Sequence, residues 1–534
     1  MNEKLVVVVA DKIATSGLNV LMEDDRFEIV MANEWDTPKL HKAMPKAHGL
    51  IVRSATQVTR DLLEASPNLR IVGRAGVGVD NIDLMAASEF GIPVINAPEG
   101  NTVSAAELTF ALILAVARKI SWADGSVRNN EWSRSYFAGI ELRGKVLSLI
   151  GAGRIGVEVS HRAKAFGMRV IAHDPYLSKE RSHVLGVEKV ELADALTQGD
   201  VVSLHVPLTP TTENMIGWEE LLSMKPTAIL VNASRGGVVD ESALVKALET
   251  GEIAGAALDV FINEPLPEDD PLRGASNLIL TPHLGASTAE AQELVATEIA
   301  EGVRTALIDG DFSGALNIPT FGTTDPNVIG PLLDLARKVG QTAAVLGYGS
   351  MRRVDIGVSN DKEDIFVPIS AAVITGMLTP VVGKRNINYV NALHLANARN
   401  IAIGTELLDE HPDYSEFLRV ALDTEGGRVS VCGALLRDRL RPCIVQIDDF
   451  IMKVSPKGCL VILRNKDVPG VIGKVGTSLG TQGLNIAEYM QARNTAGGQA
   501  MAVISVDGRV TSEALASLRE DNDILDVRSV FFGK

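Results

Sequence analysis

Residues 146–156 carry the feature that most restricts the fold of this chain. A run of apolar residues, 146–150, leads directly into Gly151, Gly153 and Gly156, and a pattern typical of a helix follows. In a strand-turn-helix unit Gly151 makes the tight turn, Gly153 lets the backbone approach a pyrophosphate, and Gly156 packs the helix on the strand. The pattern predicts a parallel α/β sheet that binds a dinucleotide. A glycine-rich turn that binds nothing is the alternative.

An acidic residue follows the next predicted strand and narrows the choice of dinucleotide. The apolar run 168–173 ends in Asp174, at the distance where a carboxylate meets the ribose hydroxyls. A carboxylate at this position repels a 2′-phosphate, and the N-terminus of the preceding helix offers free N–H groups to the phosphates. We therefore expect NAD, rather than NADP, as the cofactor.

Three residues in the middle of the chain form a set that can run a dehydrogenase. Arg235, Glu264 and His283 each follow an apolar run that predicts a buried strand, at residues 228–231, 256–260 and 278–280. The carboxyl ends of parallel strands meet at one edge of an open sheet, where such folds place their active sites. We expect the three side chains to lie together at that edge.

Oxidation of a 2-hydroxy acid needs these residue types. His283 can accept the hydroxyl proton, because histidine titrates near neutral pH. Glu264 can fix the tautomer of His283 and stabilise its protonated form, and the planar fork of Arg235 can hold a carboxylate. Taken singly, each is more often an ordinary turn residue. Their joint occurrence after the glycine pattern favours the catalytic interpretation.

Composition indicates a globular enzyme of several domains. The chain has 534 residues, a length typical of three or four domains, and 46% of them are hydrophobic. A net charge of −16 disfavours nucleic acids and anionic membranes as partners. Three late cysteines and nine scattered histidines predict neither a disulfide framework nor a metal site. The N-terminus has no signal-peptide pattern, so we expect a cytoplasmic location.

The first hundred residues predict a small α/β unit with a cluster of arginines. Short apolar strands alternate with helical stretches, and two of the strands are followed by Arg53-Ser54 and by Arg74. Strand-end loops of this kind offer both a guanidinium and backbone N–H groups to an anion. Two turn arginines on a solvated surface are the alternative.

The order of these motifs resembles the D-isomer-specific 2-hydroxyacid dehydrogenase family over residues 1–316. The resemblance implies an α/β fold of two doubly wound parallel-sheet domains. A Rossmann NAD domain, residues 99–282, would be inserted in a flavodoxin-like substrate domain, residues 1–98 and 283–316.

The resemblance also assigns roles beyond those that the residue types suggest. Further positions that would line the NAD site are Arg154, Ile155, Ala233, Asp259, Gly285 and Ala286. The substrate would contact Arg53, Ser54, Arg74, Gly76 and Val77. Arg134 matches a loop that would reach the site of a neighbouring subunit.

Beyond residue 316 the pattern changes. A Pro/Gly-rich break at 319–326 precedes a mixed α/β stretch, and we expect an intervening domain over residues 317–455. Residues 456–534 follow a β-α-β-β-α-β order that is ferredoxin-like and resembles an ACT domain, an amino-acid-sensing module. Asn465, Asp467 and Asn485 match effector positions, where amide and carboxylate groups suit L-serine. Simple turn capping is the alternative.

Taken together, the resemblance implies NAD-dependent oxidation of D-3-phosphoglycerate to 3-phosphohydroxypyruvate. This is the first step of serine biosynthesis, and the terminal module implies feedback inhibition by serine. A homodimer or homotetramer is expected. The competing hypotheses are a glyoxylate or hydroxypyruvate reductase and a non-catalytic NADH-sensing interaction protein on the same fold.

Overall fold

The computed structural model describes residues 4–312, 314–318, 326–359, 365–383, 386–409, 411, 413–414, 416–436 and 440–533. In this part of the chain the main strands form four sheets, two fully parallel, one mixed and one antiparallel. The predicted fold class is therefore confirmed. Most of the predicted Pro/Gly break, residues 319–325, lies outside the described residues.

The first sheet is parallel and has five strands in the order β2-β1-β3-β4-β5, which is the flavodoxin-like order. Its strands read as almost continuous apolar runs because a parallel sheet is covered on both faces. The strands are β1 Leu5–Val9, β2 Phe27–Met31, β3 Gly49–Val52, β4 Ile71–Arg74 and β5 Val94–Asn96. The helices are α1 Asn19–Met22, α2 Thr37–Ala43, α3 Arg60–Glu64 and α4 Leu84–Glu89.

The second sheet is parallel and has seven strands in the order β12-β11-β10-β9-β6-β7-β8. The strand order reverses beside β6, so a crevice opens between β6 and β9 at their carboxyl ends. The helices are α5 Thr102–Ala117, α6 Ile120–Arg128, α7 Arg154–Ala165, α8 Lys179–Leu185, α9 Leu192–Gln198, α10 Trp218–Ser223 and α11 Glu241–Thr250. The strands are β6 Val146–Ile150, β7 Arg169–His173, β8 Glu188–Lys189, β9 Val201–Leu204, β10 Ile229–Asn232, β11 Gly255–Leu258 and β12 Leu278–Leu280.

Helix α12, Ala289–Asp309, returns the chain to the first sheet. Its buried side chains Val295, Ile299 and Val303 share a core with Val7 and Ile51. The segments that precede and follow the second sheet along the chain therefore form one structural unit.

Residues 102–128 form two helices, α5 and α6, separated by a short break. Helix α5 ends at Ala117, and Lys119 adopts a left-handed conformation with φ 55° that separates it from α6. Although most of α5 is buried, Val103, Glu107 and Ala111 form an exposed stripe at helical spacing. Helix α5 therefore has one open face.

The third sheet is mixed, in the order β14-β13-β15-β16-β17-β18, and α13 and α14 contribute to its core. The fourth is antiparallel, in the order β20-β21-β19-β22, and has the predicted β-α-β-β-α-β order. The helices are α13 Pro326–Leu346, α14 Phe366–Val382, α15 Ala392–Ala398, α16 Val471–Thr481 and α17 Ser512–Arg519. The strands are β13 Met351–Val358, β14 Ala402–Leu407, β15 Glu416–Thr424, β16 Gly427–Leu436, β17 Arg441–Ile447, β18 Phe450–Val454, β19 Cys459–Lys466, β20 Ile486–Arg493, β21 Gln499–Val506 and β22 Ile524–Phe531.

These last two sheets share a hydrophobic core. Leu460, Ile462 and Val503 of the fourth sheet belong to the same buried cluster as Ile356 and Leu418 of the third. The opposite face of the fourth sheet packs on α16 and α17. Burial of apolar surface therefore holds the units of the third and fourth sheets together, whereas the chain length predicts a separate core for each.

Candidate active site

The glycine-rich turn between β6 and α7 has the geometry that a dinucleotide requires. Gly151 has φ 98°, and a Cβ there would lie 2.5 Å from the carbonyl oxygen of His205. A Cβ at Gly156 would lie 2.4 Å from the carbonyl oxygen of Gly151, whereas one at Gly153 would meet nothing within 4 Å. Two glycines thus permit tight packing, and the third leaves the approach to the backbone open.

Asp174 lies beside this turn, at the end of β7. One carboxylate oxygen accepts a hydrogen bond from the backbone N–H of Ala152 at 2.9 Å, and the other accepts one from Tyr176 at 2.8 Å. Gly153 precedes α7 and has no side chain that could cap it, so the helix N-terminus is available to an anion. Arg154 is exposed and Ile155 half-buried in the first turn of α7. These residues fit a dinucleotide without a 2′-phosphate.

Asp259 is fully buried and organises the turn that carries His283. Its carboxylate accepts hydrogen bonds from the Thr281 hydroxyl at 2.6 Å and from the backbone N–H groups of Leu284 at 2.8 Å and Gly285 at 3.0 Å. Burial raises the pKa of Asp259, and the three donors partly oppose that shift. Ala286 follows in the same turn and is half-buried, as is Ala233 after β10. The structure therefore gives Asp259 a positioning role.

His283 and Glu264 form a close pair. Nδ1 of His283 lies 2.6 Å from Oε2 of Glu264, and Oε1 of Glu264 accepts a hydrogen bond from the backbone N–H of Phe261 at 3.1 Å. Burial raises the pKa of Glu264, but hydrogen bonds from His283 and Phe261, together with the charge of Arg235, hold it below its usual range. Glu264 is therefore ionised at neutral pH, which directs the Nδ1 proton of His283 towards it and leaves Nε2 free to accept a proton.

Arg235 lies in the turn after β10, and hydrogen bonds from and to the Asn232 side chain stabilise that turn. The Asn232 side chain donates a hydrogen bond to the carbonyl of Arg235 at 2.9 Å and accepts from the backbone and hydroxyl of Ser234 at 3.0 and 2.8 Å. Nη1 of Arg235 donates to the Ser234 carbonyl at 2.7 Å, and Nε lies 3.1 Å from Oδ2 of Asp80 in the first unit. The guanidinium therefore spans the cleft between the two parallel-sheet units.

The loop from Arg74 to Asn81 faces Arg235 from the other side of the cleft. The side chain of Asn81 donates to the carbonyls of Arg53 at 3.0 Å and Thr56 at 2.7 Å, and Asn96 donates to the carbonyl of Val77 at 2.6 Å. These hydrogen bonds hold together the two loops that the sequence predicts to bind an anion.

Gly76 is required by the side chain of Arg74. Gly76 has φ 148°, and a Cβ there would lie 1.6 Å from Nη1 of Arg74. Nε of Arg74 is buried without a hydrogen-bond partner among the described residues. Burial lowers the pKa of Arg74 to about 10, and the charges of Arg235 and Arg53 add to that shift. The three arginines therefore form a positive cluster that an anion would relieve.

Arg53 sits in a loop that a buried carboxylate organises. Asp11 accepts hydrogen bonds from the backbone N–H groups of Arg53 at 2.6 Å, Ala55 at 3.2 Å and Thr56 at 3.1 Å, and from the Thr56 hydroxyl at 2.6 Å. Ser54 is exposed at the tip of the same loop. These hydrogen bonds fix the backbone of the loop, so the Arg53 side chain extends from a fixed point.

Arg134 lies on an exposed stretch of the second unit. It begins a short 3₁₀ helix, Arg134–Phe137, and its neighbours Trp132 and Tyr136 are 79% and 76% exposed. Among the described residues, no hydrogen bond or ion pair fixes the Arg134 guanidinium.

The three predicted effector residues do not meet within one chain. Asp467 follows the end of β19, where Lys466 pairs with Gln499, whereas Asn485 precedes β20 at the level of Cys459. A strand of this length separates them by about 25 Å. Asn485 donates to Asp507 at 2.9 Å, and Asp467 accepts from the backbone N–H of Gly497 at 3.0 Å. Asn465 and Asp467 are therefore neighbours within one chain, and Asn485 lies at the opposite end of the sheet.

Asn465 is almost fully buried. Its side-chain nitrogen donates to the carbonyl of Lys466 at 2.6 Å, and its side-chain oxygen has no partner among the described residues. A buried amide oxygen without a donor is uncommon in folded proteins, so this end of β19 retains an unused acceptor.

Sequence reasoning missed Asp11, Asp80 and His205. A lone Asp after a strand carries no signal by itself, and Asp80 gains significance only through its distance to Arg235. His205 follows β9 and is partly buried; its Nε2 lies 2.9 Å from the hydroxyl of Ser203, and burial lowers its pKa to about 4. The backbone carbonyl of His205 lies against Gly151, so its neutral ring packs under the glycine-rich turn.

Two further properties concern the described residues alone. No group of three or more histidine, cysteine or carboxylate side chains in that part of the chain is placed to hold a metal ion. No helix there is both long and apolar enough to cross a membrane.

Comparison with known families matches two segments of the chain. Residues 110–285 match the model of the D-isomer specific 2-hydroxyacid dehydrogenase, NAD binding domain. Residues 328–448 match the D-3-phosphoglycerate dehydrogenase intervening domain. The two matched segments lie on either side of α12 and cover the second sheet and most of the third.

Solved structures resemble about three-fifths of the chain. A D-lactate dehydrogenase from Aquifex aeolicus, solved with NAD and lactic acid, shares 29% identity at a TM-score of 0.52 and covers 59% of this chain and 100% of its own. The TT0316 protein from Thermus thermophilus shares 36% identity at a TM-score of 0.54 and covers 58% of this chain and 100% of its own.

Curated relatives match almost the whole length. D-3-phosphoglycerate dehydrogenase from Methanocaldococcus jannaschii is 39% identical over 526 residues, which is 98% of each chain. The enzyme of the same name from Archaeoglobus fulgidus is 39% identical over 529 residues, or 98% of this chain and 99% of its own. This chain belongs to the D-3-phosphoglycerate dehydrogenases, within the NAD-dependent D-isomer-specific 2-hydroxyacid dehydrogenase family.

Proposed function

We propose that this chain catalyses the NAD-dependent oxidation of D-3-phosphoglycerate to 3-phosphohydroxypyruvate, the first step of serine biosynthesis. The observation that carries the proposal is the His283–Glu264 pair, 2.6 Å apart, within range of the charge of Arg235. The set lies at the carboxyl ends of β10, β11 and β12, beside the glycine-rich turn. Relatives that match the full length and bear this activity in their names support the substrate.

His283 acts as the general base. Nδ1 is engaged by Glu264, so Nε2 receives the proton of the C2 hydroxyl, and the imidazolium that forms is stabilised by the ionised carboxylate. The turn that carries His283 is held by three hydrogen bonds to Asp259, which keeps the ring in place during proton transfer. In the reverse direction the same pair returns the proton.

Arg235 binds the carboxylate of the substrate and draws electron density from C2. Its guanidinium presents a planar fork, and a bidentate contact fixes the direction of the C2–H bond as well as the position of the acid. Asn232 holds the backbone of the turn, so the orientation of Arg235 is largely set before the substrate arrives.

The phosphate meets Arg53 and Arg74. Arg74 is buried beside two other guanidinium groups and carries an Nε without a partner among the described residues. A doubly charged phosphate relieves that repulsion, whereas the neutral end of glycerate does not. The backbone of Ser54, Gly76 and Val77 lines the same loops, and Arg134 of a second copy supplies a further cation.

NAD supplies the hydride acceptor when it is bound, and the chain's own residues hold it. The open backbone at Gly153 and the N-terminus of α7 would receive the pyrophosphate, while Asp174 would meet the ribose hydroxyls. Ala233, Gly285 and Ala286 line the crevice between the strand ends, with Arg154 and Ile155 at the first turn of the helix.

The test is the formation of NADH from D-3-phosphoglycerate, with D-glycerate and D-lactate measured beside it and His283→Ala as the catalytic control. Turnover confined to the phosphorylated acid, and lost by orders of magnitude in His283→Ala with NADH binding retained, is the expected result. Equal turnover of D-glycerate would reject the phosphate assignment. Reduction of glyoxylate in preference to 3-phosphohydroxypyruvate would favour a glyoxylate reductase, and binding of NADH without turnover of any acid would favour an NADH sensor.

L-serine is the proposed effector, held by Asn465 and Asp467 of one chain and Asn485 of another. The buried, unpaired amide oxygen of Asn465 suits an ammonium group, and hydrogen bonds from Gly497 and Arg493 hold the pKa of Asp467 below its usual range, so its carboxylate is charged. Because Asn485 lies at the far end of the sheet, a second copy must supply it. We expect serine to inhibit the wild type and not Asp467→Ala. Equal inhibition of both would reject the site.

A homodimer or homotetramer in the cytoplasm completes the proposal. Exposed apolar side chains are concentrated on α5, α6 and the stretch that follows, among them Val103, Ile120, Val127, Trp132 and Tyr136. A patch of this kind is typical of an interface between subunits. Light scattering of the wild type against Trp132→Glu measures it, and an unchanged mass would reject this surface.

A further inference from the structure

Asp80 contacts the guanidinium of Arg235, which binds the substrate carboxylate in the proposed function. Oδ2 of Asp80 lies 3.1 Å from Nε of Arg235, although the two residues lie in loops that follow strands of different sheets. Arg235 is mostly buried with its side chain 26% exposed, whereas the side chain of Asp80 is 69% exposed. An exposed ion pair contributes little to folding, about 0–1 kcal/mol. The pair therefore matters more for the geometry of the cleft than for the stability of the fold.

The loop that carries Asp80 is built as a rigid support. Asn81 ties it to the loop of Arg53, and Asn96 ties the carbonyl of Val77 to β5. Because the backbone on both sides of Asp80 is anchored, its carboxylate is presented at a fixed point. Little backbone entropy is therefore lost when Asp80 pairs with Arg235.

Gly78 shows how closely this loop receives Arg235. A Cβ at Gly78 would lie 2.0 Å from Nη2 of Arg235 and 2.8 Å from Cζ, and it would also lie 2.8 Å from Oδ2 of Asp80. The guanidinium therefore lies on the backbone of Gly78, with Asp80 at its Nε edge and the Ser234 carbonyl at Nη1. Nη2 and the second N–H of Nη1 remain for a carboxylate ligand.

Charge gives Asp80 a second effect. The positive charge of Arg235 acts to lower the pKa of Arg74, and the negative charge of Asp80 acts to raise it. Asp80 thus offsets the repulsion between two guanidinium groups that face each other across the cleft. Without that offset, Arg235 would move away from Arg74 in the absence of substrate.

We infer that Asp80 is a positioning residue, which holds the guanidinium of Arg235 over Gly78 so that its remaining N–H groups meet the substrate carboxylate. The inference rests on the proposed function for the identity of the ligand. It does not depend on that function for the contact between the two side chains.

The principal test is a double-mutant cycle on kcat/KM for D-3-phosphoglycerate. Asp80→Asn is expected to lower kcat/KM by about tenfold or more, because small displacements of a positioning group are costly. NADH affinity should change less than about twofold. In the Arg235→Lys background Asp80→Asn should have almost no effect, since lysine has no N–H at the position of Nε, and the two losses are then not additive.

Two further variants separate positioning from general charge or stability. Gly78→Ala should reproduce the loss, since its methyl group displaces Nη2 while the charge of Asp80 remains. Glu188→Gln breaks an exposed ion pair with Arg169, 2.6 Å apart at the edge of the second sheet, and should leave kcat/KM unchanged. Gly274→Ala adds a methyl group in open space and should also have no effect.

The inference is overturned if Asp80→Asn stays within about twofold of the wild type, or if it loses as much in the Arg235→Lys background as alone. A crystal structure of the Asp80→Asn protein gives a readout that needs no turnover. Displacement of the Arg235 guanidinium from Gly78 is expected, and an unchanged position would overturn the inference. If the wild type fails to oxidise D-3-phosphoglycerate, the proposed function fails, and the crystal structure still decides the role of Asp80.

Discussion

Replacement of Glu264 by Gln tests the catalytic pair with almost no change of shape. Oε1 of Glu264 accepts from the backbone N–H of Phe261 and Oε2 faces Nδ1 of His283, so both oxygens are in use. An amide has only one oxygen. If it remains with Phe261, the NH₂ group faces Nδ1 and directs the His283 proton to Nε2, which cannot then act as a base. If the amide turns round, two donors face each other at Phe261.

The size of the loss follows from the kind of hydrogen bond. A hydrogen bond to a charged group contributes about 1.5–3 kcal/mol, and each 1.36 kcal/mol is a factor of ten in rate. The pair is partly exposed, since the His283 and Glu264 side chains are 48% and 37% accessible, so water supplies some of the lost stabilisation. We expect kcat to fall by about 10- to 100-fold in Glu264→Gln.

The assay is the steady-state oxidation of D-3-phosphoglycerate, with NADH affinity measured separately. Glu241→Gln is the matched control, because the Glu241 carboxylate accepts from the backbone N–H of Ile262 at 2.8 Å and supports the same loop without reaching His283. The control should retain kcat within about threefold. A Glu264→Gln enzyme with kcat within threefold of the wild type would refute the role of Glu264.

Three other variants test separate parts of the site. Arg74→Gln should lower kcat/KM for D-3-phosphoglycerate by tenfold or more but leave that for D-glycerate almost unchanged; equal losses on both acids would contradict a phosphate contact. Asp174→Ala should raise the ratio of kcat/KM with NADP to that with NAD by at least tenfold, and an unchanged ratio would reject its role at the ribose. His205→Gln should flatten the dependence of stability on pH. The pKa of His205 is lowered from 6.5 in the unfolded chain to about 4 in the folded chain. Between these values the unfolded chain binds a proton that the folded chain does not, so the free energy of unfolding decreases as the pH drops below 6.5. By pH 5 the wild type should lose about 2 kcal/mol from this group, measured as the urea midpoint at pH 7.5 and pH 5; equal losses in both proteins would contradict the assignment.

Parts of the fold governed by local patterns were predictable from the sequence. Apolar runs marked β6 and β12 at their observed residues, and the glycines of the 151–156 turn marked the switch between β6 and α7. Parallel strands buried on both faces leave a strong hydrophobic signal. Because catalytic groups follow such strands directly, Arg235, Glu264 and His283 could be placed at one edge before any distance was known.

Contacts between distant segments were not predictable. Nothing in the local sequence of Asp80 indicates a pairing with Arg235, because that contact depends on how two sheets face each other across a cleft. The break after α5 depends on Lys119 in a left-handed conformation, which lysine rarely adopts. Asn485 matched an effector pattern, but the pairing of strands β19, β21 and β20 places it at the opposite end of the sheet from Asp467.

Transfer of deuterium from C2 of D-3-phosphoglycerate to the cofactor tests the proposed reaction most directly. The labelled acid is incubated with the wild-type enzyme and NAD, and the reduced cofactor is analysed by mass spectrometry or NMR, with His283→Ala as the control. One deuterium in each NADH formed by the wild type, and almost none formed by the variant, is the predicted result. Absence of deuterium from the reduced cofactor, or undiminished transfer in His283→Ala, would contradict hydride transfer from C2 with His283 as the base.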